Sequence, residues 1–346
     1  MPDEHDQDLE PAIVEMVGIF RDLRRSWLRS LRAANASANT LRAYGRAIDL
    51  LIEFLAYPPD EAMTGGEETP AQLLERMPVW DETDIRRAHI EALIGELHRH
   101  YKPNTVNNRW SALHVFFQWL VDQPDIDVAI SPMTGMPRPF IPEEHPEILT
   151  VEEIRKLLAT CDPKTFLGIR DAAIIRLLAD CGLRIEELET LMAVDIIDGV
   201  RVPYVDMDTE CVYVMGKGRR PRTVSFGAKT AAALDRYLRA RRKHPFRDQP
   251  DFWLRDPRYP SPGRVTDSGL RRMLDRRAKK AKIKHVHPHM LRHSWGAAAK
   301  RKGLDRGALK NQGGWRSDKM PDRYGAIVET DRSLQAHRRH SFGDEI

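Results

Sequence analysis

The stretch Lys284-His285-Val286-His287-Pro288-His289-Met290-Leu291-Arg292-His293, followed by Gly313-Gly314-Trp315 and then by Tyr324, decides how the chain is read. Pro288 suits the first position of a helix, where its missing N–H costs nothing. A helix beginning there puts His289 and Arg292 on one face. The planar fork of an arginine holds two non-bridging oxygens of a phosphodiester. A histidine and an indole donate single hydrogen bonds, and a tyrosine oxygen is a nucleophile. These are the parts a tyrosine needs to attack a phosphodiester. The histidines at 285, 287, 289 and 293 invite a zinc reading. It finds little support, because no Glu follows His289 and no Cys or acidic ligand lies nearby in sequence.

The chain has 346 residues, a length that suits two domains, and 41% of them are hydrophobic. Net charge is only +4, yet it is unevenly spread. From Lys217 to Arg247 eleven Lys/Arg face one acid, Asp235. From Gly269 to Lys302 twelve face one, Asp275, while residues 1–20 hold six acids and no Lys or Arg. A basic block alone is often a solvated face, but two blocks flanking a phosphate-type constellation point to nucleic acid. Cys161, Cys181 and Cys211 lack metal-ligand spacing and are expected to be buried thiols. With no signal peptide and no apolar run of membrane length, a cytoplasmic, nucleoid-associated protein is expected, with no membrane partner.

The N-terminal half reads as helical. Leu41, Tyr44, Ile48, Leu51 and Leu55 step with helical periodicity, and Asn39 or Thr40 is placed to cap that helix. Ile90, Leu93, Leu97 and Tyr101 repeat the pattern, as do Val106, Trp110, Leu113, Phe117 and Leu120 after a break at Pro103-Asn104. The segment between Tyr57 and Asp84 is rich in Pro, Gly and acids and reads as a loop or insertion. Asp125 to Pro146 reads as a linker. In the second half, Thr150 and Glu153 form a capping box. Ile169, Ala173, Ile174, Leu177 and Leu178 mark a buried helix that Gly182 is placed to end. Residues 211–215 and 223–226 are β-prone and read as a hairpin with Lys217 near its tip. Basic helices follow from Ala228 to Arg242 and from Ser268 to Lys282.

The pattern H-x-x-R at His289 and Arg292, Gly-Trp at Trp315 and then Tyr324 resembles the tyrosine recombinase (phage integrase) family. Gly182-Leu183-Arg184-Ile185-Glu186-Glu187-Leu188 resembles its first arginine motif, and Gly216-Lys217-Gly218 the setting of its lysine. Trp315 stands where many members carry a second histidine. The resemblance covers roughly Asp22 to His340, in an Xer-like two-domain organisation without an arm-binding domain. It implies a mainly α fold with a small β-sheet, the catalytic domain being α+β. The implied division is an acidic disordered tail at 1–16, a helical core-DNA-binding domain at 17–125 and a linker at 126–147. A catalytic domain at 148–325 and a C-terminal docking helix or tail at 326–346 complete it.

The resemblance also implies a site-specific recombinase that cuts and rejoins DNA through a 3′-phosphotyrosine intermediate and a Holliday junction. Tyr324 is the implied nucleophile and Lys217 the general acid. Arg184 and Arg292 balance transition-state charge, His289 orients the phosphate and is a candidate to take the Tyr324 proton, Trp315 offers an indole donor and a packing surface, and Glu187 orients Arg or His. Two arginines take the part that Mg²⁺ often plays in phosphoryl transfer, so no metal or cofactor is expected. Arg42, Arg46, Asn108, Arg109, Arg219, Arg220, Arg222, Arg271 and Arg272 are expected on DNA. Expected partners are double-stranded DNA with inverted-repeat sites, other copies of the chain in a tetramer on paired sites, and accessory DNA-bending proteins. A type IB topoisomerase shares the chemistry. A DNA-binding regulator with a dead site is the non-enzymatic alternative, against which the complete residue set argues.

Overall fold

The computed structural model describes residues 10–60, 68–142, 146–197, 200–202, 204–216, 220–341, 343 and 346. The chain divides into two compact units, residues 1–143 and 144–346.

The first unit is built from α1 (Pro11–Ala33), α2 (Ala38–Ala56), α3 (Pro70–Arg76), α4 (Arg87–His100) and α5 (Pro103–Val121). Helix α1 starts six residues before the expected boundary at 17, with Pro11 at its first turn. Ser37, not Asn39 or Thr40, caps α2: its hydroxyl accepts from the Thr40 N–H at 3.1 Å. The core contains Phe20, Trp27, Ile48, Leu51, Ile90, Phe116 and Phe117, each stabilising by about 1.5–3 kcal/mol when fully buried. Trp27 stacks on Tyr44 at 5.4 Å and meets Phe116 edge-on at 5.2 Å, tying α1 to α2 and α5. The segment read as a loop contains α3. A Thr69–Gln72 capping box and Pro70 start this helix, and buried Leu73 anchors it. Part of the expected linker belongs to this unit's core, because Met133 is buried and Ile126 and Met136 pack beside it.

The second unit runs α6 (Val151–Ala159), α7 (Phe166–Cys181), α8 (Ile185–Glu189), β1 (Asp195–Ile197), β2 (Val200–Val202), β3 (Val205–Asp206), β4 (Cys211–Gly216) and β5 (Arg220–Ser225). Helices α9 (Ala228–Arg242), α10 (Asp267–Ala281), α11 (Pro288–Arg301), α12 (Arg306–Gly313) and α13 (Lys319–Arg339) follow. The fold is mainly α. Strands β3-β4-β5 form one antiparallel sheet and β1-β2 a separate pair. The expected hairpin is present as β4–β5, with β5 starting three residues earlier than expected so that Gly216 lies opposite Arg220. Thr150 and Glu153 cap α6 reciprocally. Helix α7 is the centre of the core: Ala173, Ile174, Ile175, Leu177, Leu178 and Cys181 are all buried. A helix apolar on several faces can only be a core helix. Gly182 ends it at φ +59°, where a Cβ would come within 2.2 Å of the Trp295 ring. Cys161 and Cys181 are buried, as expected, whereas Cys211 is half-buried. Helix α13 runs unbroken through the expected boundary at 325/326, so Tyr324 sits inside it.

A buried ion network joins α7 to α10. Asp171, 1% exposed, accepts from Arg170 at 2.8 Å and from Arg277 at 2.7 Å. Arg170 also donates to the Leu254 carbonyl and Arg277 to that of Thr160. Removing one partner of such a group leaves buried charge without compensation. Asp171→Ala is therefore expected to lose about 3–5 kcal/mol of stability by urea denaturation; a loss within experimental error would show that the two arginines find other partners.

Candidate active site

Pro288 opens α11, as its sequence position requires, and sets His289 and Arg292 on the first turns. His289 is exposed and Arg292 buried. The Arg292 guanidinium donates to the carbonyls of Gly182 and Gly313 and lies over the Trp315 ring, 4.8 Å from its centroid. Burial, with Arg184 nearby, pulls its pKa down to about 10, which leaves it cationic at neutral pH. Arg184 immediately precedes α8. Its Nη1 donates to Glu187 Oε1 at 2.8 Å, its backbone N–H to Oε2 at 2.8 Å and its Nη2 to the Gly314 carbonyl at 2.9 Å.

Glu187 is 3% exposed. It also accepts from Arg222, Nη1 to Oε1 at 2.5 Å and Nη2 to Oε2 at 2.7 Å. Burial pushes the Glu187 carboxyl up, but hydrogen bonds and charge from Arg222 and Arg184 outweigh it and hold the group below the ordinary carboxylate range.

Tyr324 is 0% exposed, packed with Trp295, Leu309 and Ile327. Its ring lies 5.6 Å from Trp315 and against Gly296, where a Cβ would come within 2.6 Å. The phenol hydroxyl meets His293 Nδ1 at 2.8 Å. Burial raises the Tyr324 pKa to about 12 and lowers that of His293 to about 4. A neutral imidazole and a neutral phenol thus share one hydrogen bond. His289, though its edge is open to solvent, is held below its usual range by partial desolvation of the ring and by Arg292. The role of His293 cannot be read from the sequence, because a histidine at i+4 from His289 fits a solvent-facing or a packed side chain equally well.

The second unit thus gathers Arg184, Glu187, His289, Arg292, Trp315 and Tyr324 from α8, α11, α12's end and α13. Lys217 and Arg219 lie outside the described residues, as does the Arg220 side chain. Among the described residues no group of three or more His, Cys, Asp or Glu could hold a metal ion. None of the helices is long and apolar enough to cross a membrane among those residues.

Several residues expected on DNA have other contacts. Arg222 is turned inward on Glu187, with its side chain 11% exposed. Arg109 is half-buried and donates to the Ala43 carbonyl at 2.6 Å, tying α5 to α2. Arg46 is exposed but paired with Glu53 at 2.7 Å, and Arg271 with Asp267 at 2.5 Å. Arg42 and Asn108 are exposed. Arg272 lines a cleft of about 750 Å³ with Arg255, Arg258, Arg264, Arg276 and Lys280. Arg272, Arg276 and Lys280 have no acidic partner among the described residues, and their i, i+4, i+8 spacing was a readable signal of one cationic helix face.

Residues 147–330 match the model of the phage integrase family. Tyrosine recombinase XerC of Bacillus pumilus (strain SAFR-032) is 30% identical over 275 residues, 78% of this chain and 80% of the relative. Tyrosine recombinase XerC of Myxococcus xanthus is 32% identical over 247 residues, 70% and 77% of the two chains. The fold is similar to that of XerH site-specific recombinase bound to palindromic difH substrate, with TM-score 0.66, 16% identity and coverage of 96% and 97%. It is also similar to the Tn1549 transposon integrase in complex with transposon right end DNA, with TM-score 0.62, 17% identity and coverage of 92% and 98%. The chain belongs to the phage integrase family and is a tyrosine recombinase, an enzyme of site-specific recombination.

Proposed function

We propose that Tyr324 attacks a DNA backbone phosphorus and displaces the 5′ oxygen, giving a 3′-phosphotyrosyl link and a free 5′-hydroxyl. The bond energy is kept in the link, so rejoining needs no ATP. The observation that carries this reading is the convergence of two guanidiniums, Arg184 and Arg292, on the adjacent carbonyls of Gly314 and Gly313, next to the Trp315 ring that packs on Tyr324. Arg184 and Arg292 stabilise charge on the five-coordinate transition state. Exposed His289 binds the phosphate and Trp315 supplies an indole donor and a packing wall. Lys217 protonates the leaving 5′ oxygen. With no exposed surface the phenol is out of reach of a phosphate, and burial holds its pKa up. Helix α13 must shift to bring Tyr324 to the phosphate, and the cations around the phosphate then favour its ionised form.

Double-stranded DNA with inverted-repeat sites is the substrate, bound with help from the cleft of Arg255, Arg272 and Arg276. The place of action is the cytoplasm, at the nucleoid. The end of α13 supports assembly. Residues 332–340 are exposed throughout and Leu334 is 56% exposed, so these turns present their side chains to solvent. Most helical stability in proteins comes from packing a helix face, and the exposed end of α13 leaves such a face open. A second copy covers it, and four copies on two paired sites allow two strand exchanges. Accessory DNA-bending proteins complete the proposed set of partners.

Tyr324→Phe is expected to bind target DNA like the parent protein and to form no covalent adduct on a nicked suicide substrate; an adduct in the Phe variant would refute the nucleophile. Lys217→Ala is expected to cut a substrate with sulfur at the 5′ bridging position far faster than the normal one, because a thiolate leaves without a proton. Failure of that substrate to restore cutting would place the acid elsewhere. Deleting residues 330–346 should spare single-site binding in a gel-shift assay and abolish the paired-site complex, and a truncated protein that still pairs sites would show that the helix end has no role in assembly.

A further inference from the structure

We propose that Arg222 is a positioning residue for strand cleavage: its guanidinium fixes Glu187, and through Glu187 it sets Arg184, while its Nε fixes the turn that carries Trp315. The proposal rests on the reading of Arg184 as a transition-state residue. Arg222 sits on β5, and its side chain is too buried to serve as a surface contact to DNA. Its two Nη atoms take both oxygens of Glu187, and its Nε donates to the Gln312 carbonyl at 3.1 Å. With the Arg184 backbone N–H and Nη1 the carboxylate receives four donors, which fills its acceptor sites.

The charge count explains why a second arginine is needed. Arg184 and Glu187 alone form a neutral pair, oriented but with less pull on the developing transition-state charge than a net cation. One carboxylate shared between two guanidiniums leaves a net single positive charge. The carboxylate then orients Arg184 without cancelling it. Among the described residues the charged groups acting on Glu187 are Arg184 from α8's start, Arg222 from β5 and Arg292 from α11, and all three are cationic. Lysine cannot replace this contact fully, because a point charge does not bridge two oxygens.

The experiment compares wild type, R222M, R222K and the double variant E187Q/R222M in single-turnover cleavage of a nicked suicide substrate across pH, with DNA affinity measured alongside. R222M is expected to keep its affinity, to cleave about 10²-fold more slowly and to gain a rate that rises with pH. Without Arg222, burial keeps Glu187 protonated to higher pH, and the neutral carboxyl, an acceptor at fewer sites and without charge, holds Arg184 less firmly than the carboxylate. R222K should cleave at an intermediate rate with no added pH dependence, and E187Q/R222M should be slow and flat, since glutamine does not titrate. R222M cleaving like wild type would overturn the proposal. So would parallel losses of affinity and cleavage with an unchanged pH profile, the signature of a phosphate anchor. If R222M does not fold, R222K and the double variant carry the test, and wild-type speed in either overturns it. Carboxyl ¹³C NMR of Glu187 in the free protein reads the contact without DNA. An upward-shifted titration in R222M supports the proposal even if wild type forms no adduct, a failure that would belong to the Tyr324 reading. An unmoved titration overturns the proposal.

Discussion

The last turn of α12 is the constraint on which the rest of the site depends. Its three carbonyls, those of Gln312, Gly313 and Gly314, each receive a guanidinium, from Arg222, Arg292 and Arg184 in that order. The C-terminal end of a helix carries negative partial charge and unsatisfied carbonyls. Three arginines brought so close would repel one another in open space. The helix end and the Glu187 carboxylate together offset that repulsion. The Gly-Gly-Trp run follows as a steric demand. A Cβ on Gly313 would come within 2.3 Å of the Trp315 ring, and Gly314 sits at φ +61° with a Cβ position 3.0 Å from Arg222. Gly182 completes the frame: its left-handed turn ends α7, and its carbonyl accepts from Arg292.

Against this cationic frame the nucleophile is stowed. Burial raises the Tyr324 pKa while the nearby Arg292 lowers it, and burial wins. Among the described residues His293 is the polar partner of the hydroxyl, and burial, which lowers its pKa, keeps the ring neutral. The same helix that buries the phenol exposes its distal turns. Stowage of the tyrosine and availability of the helix end are thus properties of one element, and moving α13 changes both together.

Much of this was legible. Thr150 with Glu153, Gly182 after an apolar run and Pro288 before His289 are local signals, and each sets a helix end where expected. The steps through α2, α4 and α5 likewise follow from one apolar face. What was not legible was non-local or short. Helix α3 has seven residues, too few to show a period. Strands β1 to β3 have two or three residues each. Arg222 and Arg109 were read as DNA contacts because an arginine in a basic run looks the same whether it faces solvent or a buried partner. The partner of Arg222 lies 35 residues away and that of Arg109 lies 66 away. His293 gained its role only when α13 folded back onto α11.

The contacts at residues 312–314 are made by main-chain oxygens, which every amino acid possesses. Replacing side chains there one at a time cannot delete an acceptor. Such a survey would register the crowding around Gly313 and the backbone conformation at Gly314, and would be silent on the electrostatic bonds that matter most to the arginines. Natural drift in sequence is under the same blindness. This part of the site is written in chain trajectory, and only an edit to the backbone itself, such as an ester in place of a peptide unit to weaken the carbonyl, would expose it.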